Sequence, residues 1–173
     1  MITPMAEPPT TIRDMEHDDL ATVSDIERRS YEFPWSHGVF RDCLLAGYQS
    51  IVLVREDRVA GYGILSVAAG EAHILNLCVD PAHRAHGYGE MLLDALLGVA
   101  RDSDVEEIFL EVRPSNETAM ALYRKKGFHQ IANPGGDLAI HLEIVPFDLA
   151  LRRILGYGTH IPIQKHRTER LFG

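Results

Sequence analysis

Apolar residues keep helical spacing in several stretches of this chain and cluster or alternate as in strands in several others. Thr11 to Met15 reads as a short strand. Leu20, Val23 and Ile26 then recur at helical spacing behind Asp18 and Asp19, whose charge suits a helix start. Phe33, Pro34, Trp35 and Ser36 interrupt the pattern, and Ser36 fits the N-cap of a second short helix ending near Gly47. Ser50 to Arg55 and Val59 to Val67 are rich in β-branched and apolar residues and flank Glu56, Asp57 and Arg58, which predicts a hairpin. A third strand of this group, Ala72 to Val79, follows Gly70 and stops at Asp80 and Pro81, because proline restricts its predecessor and has no N–H to donate.

Helical spacing returns at Tyr88, Leu92, Ala95, Leu96 and Val99, and a strand at Glu107 to Val112. Strand, helix and strand in that order make a crossover unit whose two strands run parallel. Pro114 ends the strand, Asn116 is placed to cap a helix holding Ala119, Leu122 and Tyr123, and Gly127 supplies its left-handed stop. Phe128 to Ala132 and Leu138 to Ile144 predict the last two strands, on either side of Asn133, Pro134, Gly135 and Gly136. The fold class is α/β (α+β), a mixed central sheet of about six to seven strands flanked by about four helices.

A chain of 173 residues, 46% hydrophobic and 24% charged, has the size of one domain. The patterned elements assign residues 11–145 to it. Residues 1–10, with Pro4, Pro8 and Pro9, read as a flexible tail, and 146–173 as a C-terminal tail in which Gly156, Gly158 and Pro162 interrupt any long helix. No apolar run approaches the roughly 20 residues that cross a bilayer, and the start lacks the basic and apolar regions of a signal peptide, so a cytoplasmic location without a membrane partner is expected. The formal charge of −8 opposes binding to a phosphate backbone and favours basic polypeptides, so no direct nucleic-acid partner is expected. Cys43 and Cys78 read as reduced, packed thiols, and His83 and His86 lack a completing ligand, so no metal is expected. A monomer or weak dimer is expected.

The candidate chemistry begins where Gly87 and Gly89 open a helix straight after a buried strand. Unpaired N–H groups at a helix start lie at the positive end of its dipole and can hold a pyrophosphate without a metal ion. A Gly-x-Gly pair also occurs as a plain structural turn. A dinucleotide fold asks for Gly or Ala where Leu92 stands, and a Walker loop for Gly-Lys-Ser/Thr; neither pattern is present.

Arg84-x-x-Gly87-x-Gly89 behind a Val-Asp-Pro strand end resembles the acetyl-CoA signature of the GNAT N-acetyltransferase superfamily. Four further stretches are similar to its bacterial ribosomal-protein-alanine N-acetyltransferases of the RimI type: Phe-Pro-Trp-Ser at 33–36, Gly-Glu-Ala-His-Ile-Leu-Asn-Leu at 70–77, Leu-Glu-Val-Arg-Pro-Ser-Asn at 110–116 and Ala-Leu-Tyr at 121–123. The resemblance implies a GNAT fold, acetyl-CoA as co-substrate, and direct acetyl transfer to the N-terminal α-amine, that of alanine, on a ribosomal protein. It implies that the backbone of Leu77, Cys78 and Val79 accepts the pantetheine arm, that Arg84, Ala85, His86, Gly87, Tyr88, Gly89 and Glu90 wrap the pyrophosphate, and that Asn116 touches the coenzyme arm. It further implies Glu111 as general base, Tyr123 as general acid and the Val79 N–H as oxyanion donor.

Read from the residues alone, these positions stay open. Ile108, Leu110 and Val112 share one strand face, so Glu111 points to the other. An ordinary carboxylate is a weak base for an ammonium, so partial burial or a relaying water is expected there; an exposed strand Glu paired with Lys or Arg is the alternative. Tyr123 also fits as a packed helical Tyr beside Leu122, and Asn116 as a helix cap. Tyr31 and Trp35 read as core or lid aromatics, although the family uses the Pro-Trp loop near the acceptor peptide. After Phe128 the chain departs from the family, lacking the Tyr-Tyr-Pro segment and the Gly-Arg-Glu-Asp-Ala strand that help hold the acceptor. Lysine or small-amine acetylation, or coenzyme binding without catalysis, therefore remain alternatives.

Overall fold

The computed structural model of the protein describes residues 8–131 and 138–143. In chain order these form β1 (Thr10–Asp14), α1 (Leu20–Ser30), α2 (His37–Leu45), β2 (Gln49–Arg55), β3 (Arg58–Ala68), β4 (Glu71–Val79), α3 (Tyr88–Asp102), β5 (Glu107–Val112), α4 (Glu117–Lys125), β6 (His129–Ile131) and β7 (Leu138–Glu143). The strands make one sheet in the order β1-β2-β3-β4-β5-β7-β6. Every pairing is antiparallel except β4 with β5, the crossover unit expected from the strand-helix-strand pattern. The turn at Asn133–Gly136 and the expected tail from residue 146 lie outside the described residues.

Local chemistry sets the element ends. Ser36 accepts the Val39 N–H at 3.4 Å and Asn116 the Ala119 N–H at 3.2 Å, so both predicted N-caps close their helices. The β2–β3 hairpin is tighter than expected: Glu56 (φ 51°) and Asp57 (φ 58°) both adopt the left-handed conformation, and Arg58 pairs with Arg55 as the first residue of β3. A two-residue turn of that hand matches the natural twist of the strands it joins.

Helices cover the sheet from both sides. Leu92, Leu93, Leu96 and Leu97 of α3 and Met120 and Tyr123 of α4 pack with Leu53, Leu65, Ile74, Ile108 and Leu110. Val23 and Ile26 of α1 and Phe40 and Cys43 of α2 pack on the opposite face with Val52, Tyr62, Ile64 and Cys78. Helix α3 lies unusually close to β3, because a Cβ built on Gly61 would meet Leu92 Cδ1 at 3.0 Å and one on Gly63 would meet Leu96 Cδ1 at 2.9 Å.

Strand β4 changes phase part-way along. Ile64 pairs with Asn76 and the next residue, Leu65, with Ile74, so Leu75 is an extra residue in a β-bulge. Side chains alternate on either side of that point, but the bulge resets the alternation. Asn76 and Cys78 consequently share the face of α1, whereas Ile74, two residues before Asn76, packs with α3.

Candidate active site

The sheet opens beside β4. That strand pairs with β5 only from Glu71 to Ile74; beyond the bulge it stays with β3, while β5 continues along β7. The Asp80 N–H donates to the Ala60 carbonyl at 2.8 Å, and bonded pairs alternate along an antiparallel ladder, so Tyr62 and Cys78 form the next bonded pair. Cys78 thus commits its peptide groups to β3, and the Cys78 oxygen lies 2.8 Å from a Cβ built on Gly61, in agreement with that direction. Leu77 and Val79 turn their peptide groups the other way, into the gap left by β5. Tyr31 donates its hydroxyl to the Leu77 carbonyl at 3.3 Å, and Arg84 Nε donates to the Val79 carbonyl at 3.4 Å.

The glycine turn closes one end of this gap. Asp80 accepts the Ala82 N–H at 3.0 Å and so folds the chain after β4. Gly87, with φ of +78°, is the N-cap of α3, and Ala85 is left-handed at 63°, a conformation that costs a non-glycine residue strain. Arg84, Ala85, His86 and Gly87 are exposed, so the helix start presents its backbone to solvent. A Cβ on Gly89 would lie 3.8 Å from both Val79 Cγ2 and Leu122 Cδ2, which brings α3, α4 and the β4 end to one point.

Side chains of the turn are mostly occupied. The buried Tyr88 accepts a hydrogen bond from Arg55 at 2.6 Å. His86 stacks on Tyr88 with ring centroids 5.6 Å apart. Glu90 is held by Lys125 at 2.8 Å and Lys126 at 2.9 Å, and those two ammonium groups bring its carboxyl down to about 2. The charge of this carboxylate at the start of α3 is thereby balanced by two cations.

Glu111 lies near the end of β5 with Ile108, Leu110 and Val112 buried on the opposite face, as alternation requires. The expected partial burial is not found: Glu111 is exposed, because the α1–α2 layer does not extend over β5. Its carboxylate has no hydrogen bond or ion pair among the described residues, so the alternative of a Lys or Arg partner is not found there either. Tyr123 is buried and meets Phe128 edge-on at 5.7 Å. Burial pushes its phenol up to about 12, so it holds its proton at neutral pH. Asn116 sits at the start of α4, where its side-chain oxygen serves as the cap.

Residues 20–128 match the sequence model of the acetyltransferase (GNAT) family. The chain belongs to this family. Among curated relatives of this GNAT member, the [ribosomal protein bS18]-alanine N-acetyltransferase of Salmonella typhimurium is 37% identical over 120 residues, covering 69% of this chain and 81% of that protein. The enzyme of the same name from Escherichia coli K12 is 35% identical over the same length and shares. The crystal structure of the Escherichia coli ribosomal-protein-S18-alanine N-acetyltransferase superposes with a TM-score of 0.73 at 31% identity, covering 79% of this chain and 94% of that one. The fold is also that of the PaiA N-acetyltransferase of Thermoplasma acidophilum, solved in complex with coenzyme A, at a TM-score of 0.73 and 18% identity, covering 79% of this chain and 99% of that one.

This GNAT member has site features that the sequence reading passed over. Glu27 is only 2% exposed and accepts hydrogen bonds from the Trp35 N–H at 3.1 Å, from Asn76 Nδ2 at 3.2 Å and from the Tyr62 hydroxyl. The signal was present: Glu27 stands four residues after Val23 and seven after Leu20, which puts a carboxylate on the apolar stripe of α1. Tyr31, read as a core or lid aromatic, is 37% exposed yet turns its hydroxyl end inward. Burial, reinforced by Cys78 and the Glu27 carboxylate, raises that phenol well above its ordinary value, so Tyr31 like Tyr123 holds its proton at neutral pH.

Proposed function

We propose that this GNAT member transfers the acetyl group of acetyl-CoA to the N-terminal α-amine, alanine in the first instance, of a ribosomal protein. The observation that carries the reading is the gap itself. Outward peptide groups of Leu77 and Val79 offer strand-like hydrogen bonds to a pantetheine arm, and the gap runs into the exposed turn at Arg84–Gly87 where a pyrophosphate would meet helix N–H groups. Leu77, Val79 and the turn from Arg84 to Glu90 are assigned to the coenzyme, with Cys78 anchoring the strand between them. Asn116 is assigned to the arm as well as to its cap. The catalytic unit is residues 11–145. The acceptor is taken from the bS18-alanine enzymes to which the chain is similar.

Each step of the transfer has a group to serve it. Glu111 takes a proton from the incoming ammonium, directly or through water, since its exposed carboxylate is unencumbered among the described residues. The amine nitrogen attacks the thioester carbon, forming the C–N bond, and the Val79 N–H receives the negative charge that develops on oxygen. The C–S bond then breaks as the leaving thiolate takes the proton of Tyr123, and the surplus proton on the new amide nitrogen passes to the Tyr123 oxygen, which restores the phenol that burial keeps protonated.

The test is an acetyl-transfer assay with peptides carrying ribosomal-protein N-termini, each with internal lysine and each also supplied with a blocked α-amine. Mass spectrometry is expected to find one acetyl group on the free terminus and none on the blocked peptide. Lysine-only modification moves the acceptor to a side-chain amine. Tight acetyl-CoA binding with no transfer makes the chain a binding module.

A further inference from the structure

We infer that Glu27 is a positioning residue that fixes the acceptor side of the gap to the strand edge assigned to the coenzyme. The inference rests on the acceptor reading given above. Glu27 stands in α1, but its three donors come from three other parts of the fold: Trp35 from the loop between α1 and α2, Tyr62 from β3, and Asn76 from β4 just past the bulge. Asn76 immediately precedes Leu77, whose carbonyl faces the gap. Four residues on from Glu27, Tyr31 returns its N–H to the Glu27 carbonyl at 3.1 Å and places its hydroxyl on the Leu77 carbonyl at 3.3 Å. One residue therefore holds the loop, the strand edge and the tyrosine between them.

Packing alone does not call for this arrangement. Glu27 occupies the stripe of α1 that Leu20, Val23 and Ile26 bury, and an apolar side chain there would serve α1 equally well. A buried carboxylate costs stability unless hydrogen bonds satisfy it, and among the described residues no Lys or Arg forms an ion pair with Glu27. What the carboxylate adds is simultaneous hydrogen bonding to three donors on three separate segments. The loop it holds carries Phe33, which is 73% exposed, and Trp35, which packs on Phe40 with ring centroids 5.4 Å apart. A loop fixed at Trp35 holds the exposed Phe33 two residues away in a set position. Glu27 touches none of the reacting atoms; it acts through Trp35, Asn76 and Tyr31.

The experiment uses the full chain, with Glu27→Gln replacing one acceptor oxygen by an NH2 that faces a donor. Trp35 is the only tryptophan, so intrinsic fluorescence reports the loop without coenzyme, acceptor or turnover. The variant is expected to shift Trp35 emission to the red and to lower kcat/KM for the acceptor peptide about ten- to a hundredfold, with acetyl-CoA affinity within about twofold of wild type. Tyr62→Phe and Asn76→Ala each remove one donor and leave the carboxylate; both are expected to move fluorescence and peptide kcat/KM in the same direction by a smaller factor, and they carry the test should Glu27→Gln not fold. Unchanged emission together with wild-type kinetics, or an equal loss of coenzyme affinity and peptide kcat/KM, overturns the inference. If wild type acetylates no peptide, the functional reading fails, and Trp35 emission still decides whether Glu27 holds the loop.

Discussion

Arg29 and Asp80, 51 positions apart, form a two-point ion pair at 3.0 and 3.1 Å that ties the end of α1 to the end of β4. Burial works to raise the Asp80 carboxyl, but the Ala82 N–H, the Arg29 guanidinium and the nearby His83 outweigh it and hold the group below its usual range. A carboxyl depressed in the folded state contributes stability above its ordinary pKa and loses that contribution as pH falls through the folded value. The Asp80 side chain is only 10% exposed, but Arg29 is 45% exposed, so the pair is discounted for solvent screening. Asp80→Asn is expected to cost about 1–2 kcal/mol at neutral pH. Thermal melts across pH check the sign: the deficit relative to wild type should shrink below about pH 4, where the wild-type carboxyl also protonates.

Glu111→Gln should separate chemistry from folding. Because the side chain is exposed and unpaired among the described residues, its replacement is expected to change stability by less than about 0.5 kcal/mol. Acetyl transfer is expected to fall about 10²- to 10⁴-fold with acetyl-CoA affinity unchanged. Calorimetric titration with acetyl-CoA beside a peptide assay provides both numbers, and equal activity in the two proteins removes the proposed base.

Tyr123→Phe keeps the ring that meets Phe128 and deletes only the hydroxyl. The melting temperature is expected to stay near wild type, while kcat falls about tenfold or more. Since burial holds the phenol protonated to about 12, the wild-type kcat profile should show no loss near pH 10 that disappears in this variant. Such a loss would assign Tyr123 a different protonation state in catalysis.

Two glycines with opposite surroundings should respond oppositely to alanine. At Gly61 the added Cβ would lie 2.8 Å from the Cys78 oxygen and 3.0 Å from Leu92 Cδ1, so Gly61→Ala must push β4 or α3 away and is expected to cost about 1–3 kcal/mol and weaken acetyl-CoA binding. Gly98, inside α3, has nothing within 4 Å of an added Cβ, and Gly98→Ala is expected to gain about 0.5–1 kcal/mol. Chemical denaturation of the two variants against wild type measures both signs.

The chain announces its elements by itself. Period and punctuation located the helices starting after Ser36 and Asn116, the β2–β3 hairpin, and β5 at Glu107–Val112, because caps, turns and alternation are properties of neighbours in sequence. Motif spacing pointed to the glycine turn and to the family. Tertiary structure alone decided the rest. The extra residue Leu75 turns Asn76 and Cys78 toward α1, and the parting of β4 from β5 after Ile74 leaves Leu77 and Val79 without a strand neighbour on that side. Glu27 is legible as a carboxylate on the apolar stripe of α1, but its partners are set only where residues 35, 62 and 76 converge on it. Bulges, strand divergence and a buried carboxylate's partners depend on which distant segments meet, and no local pattern records that.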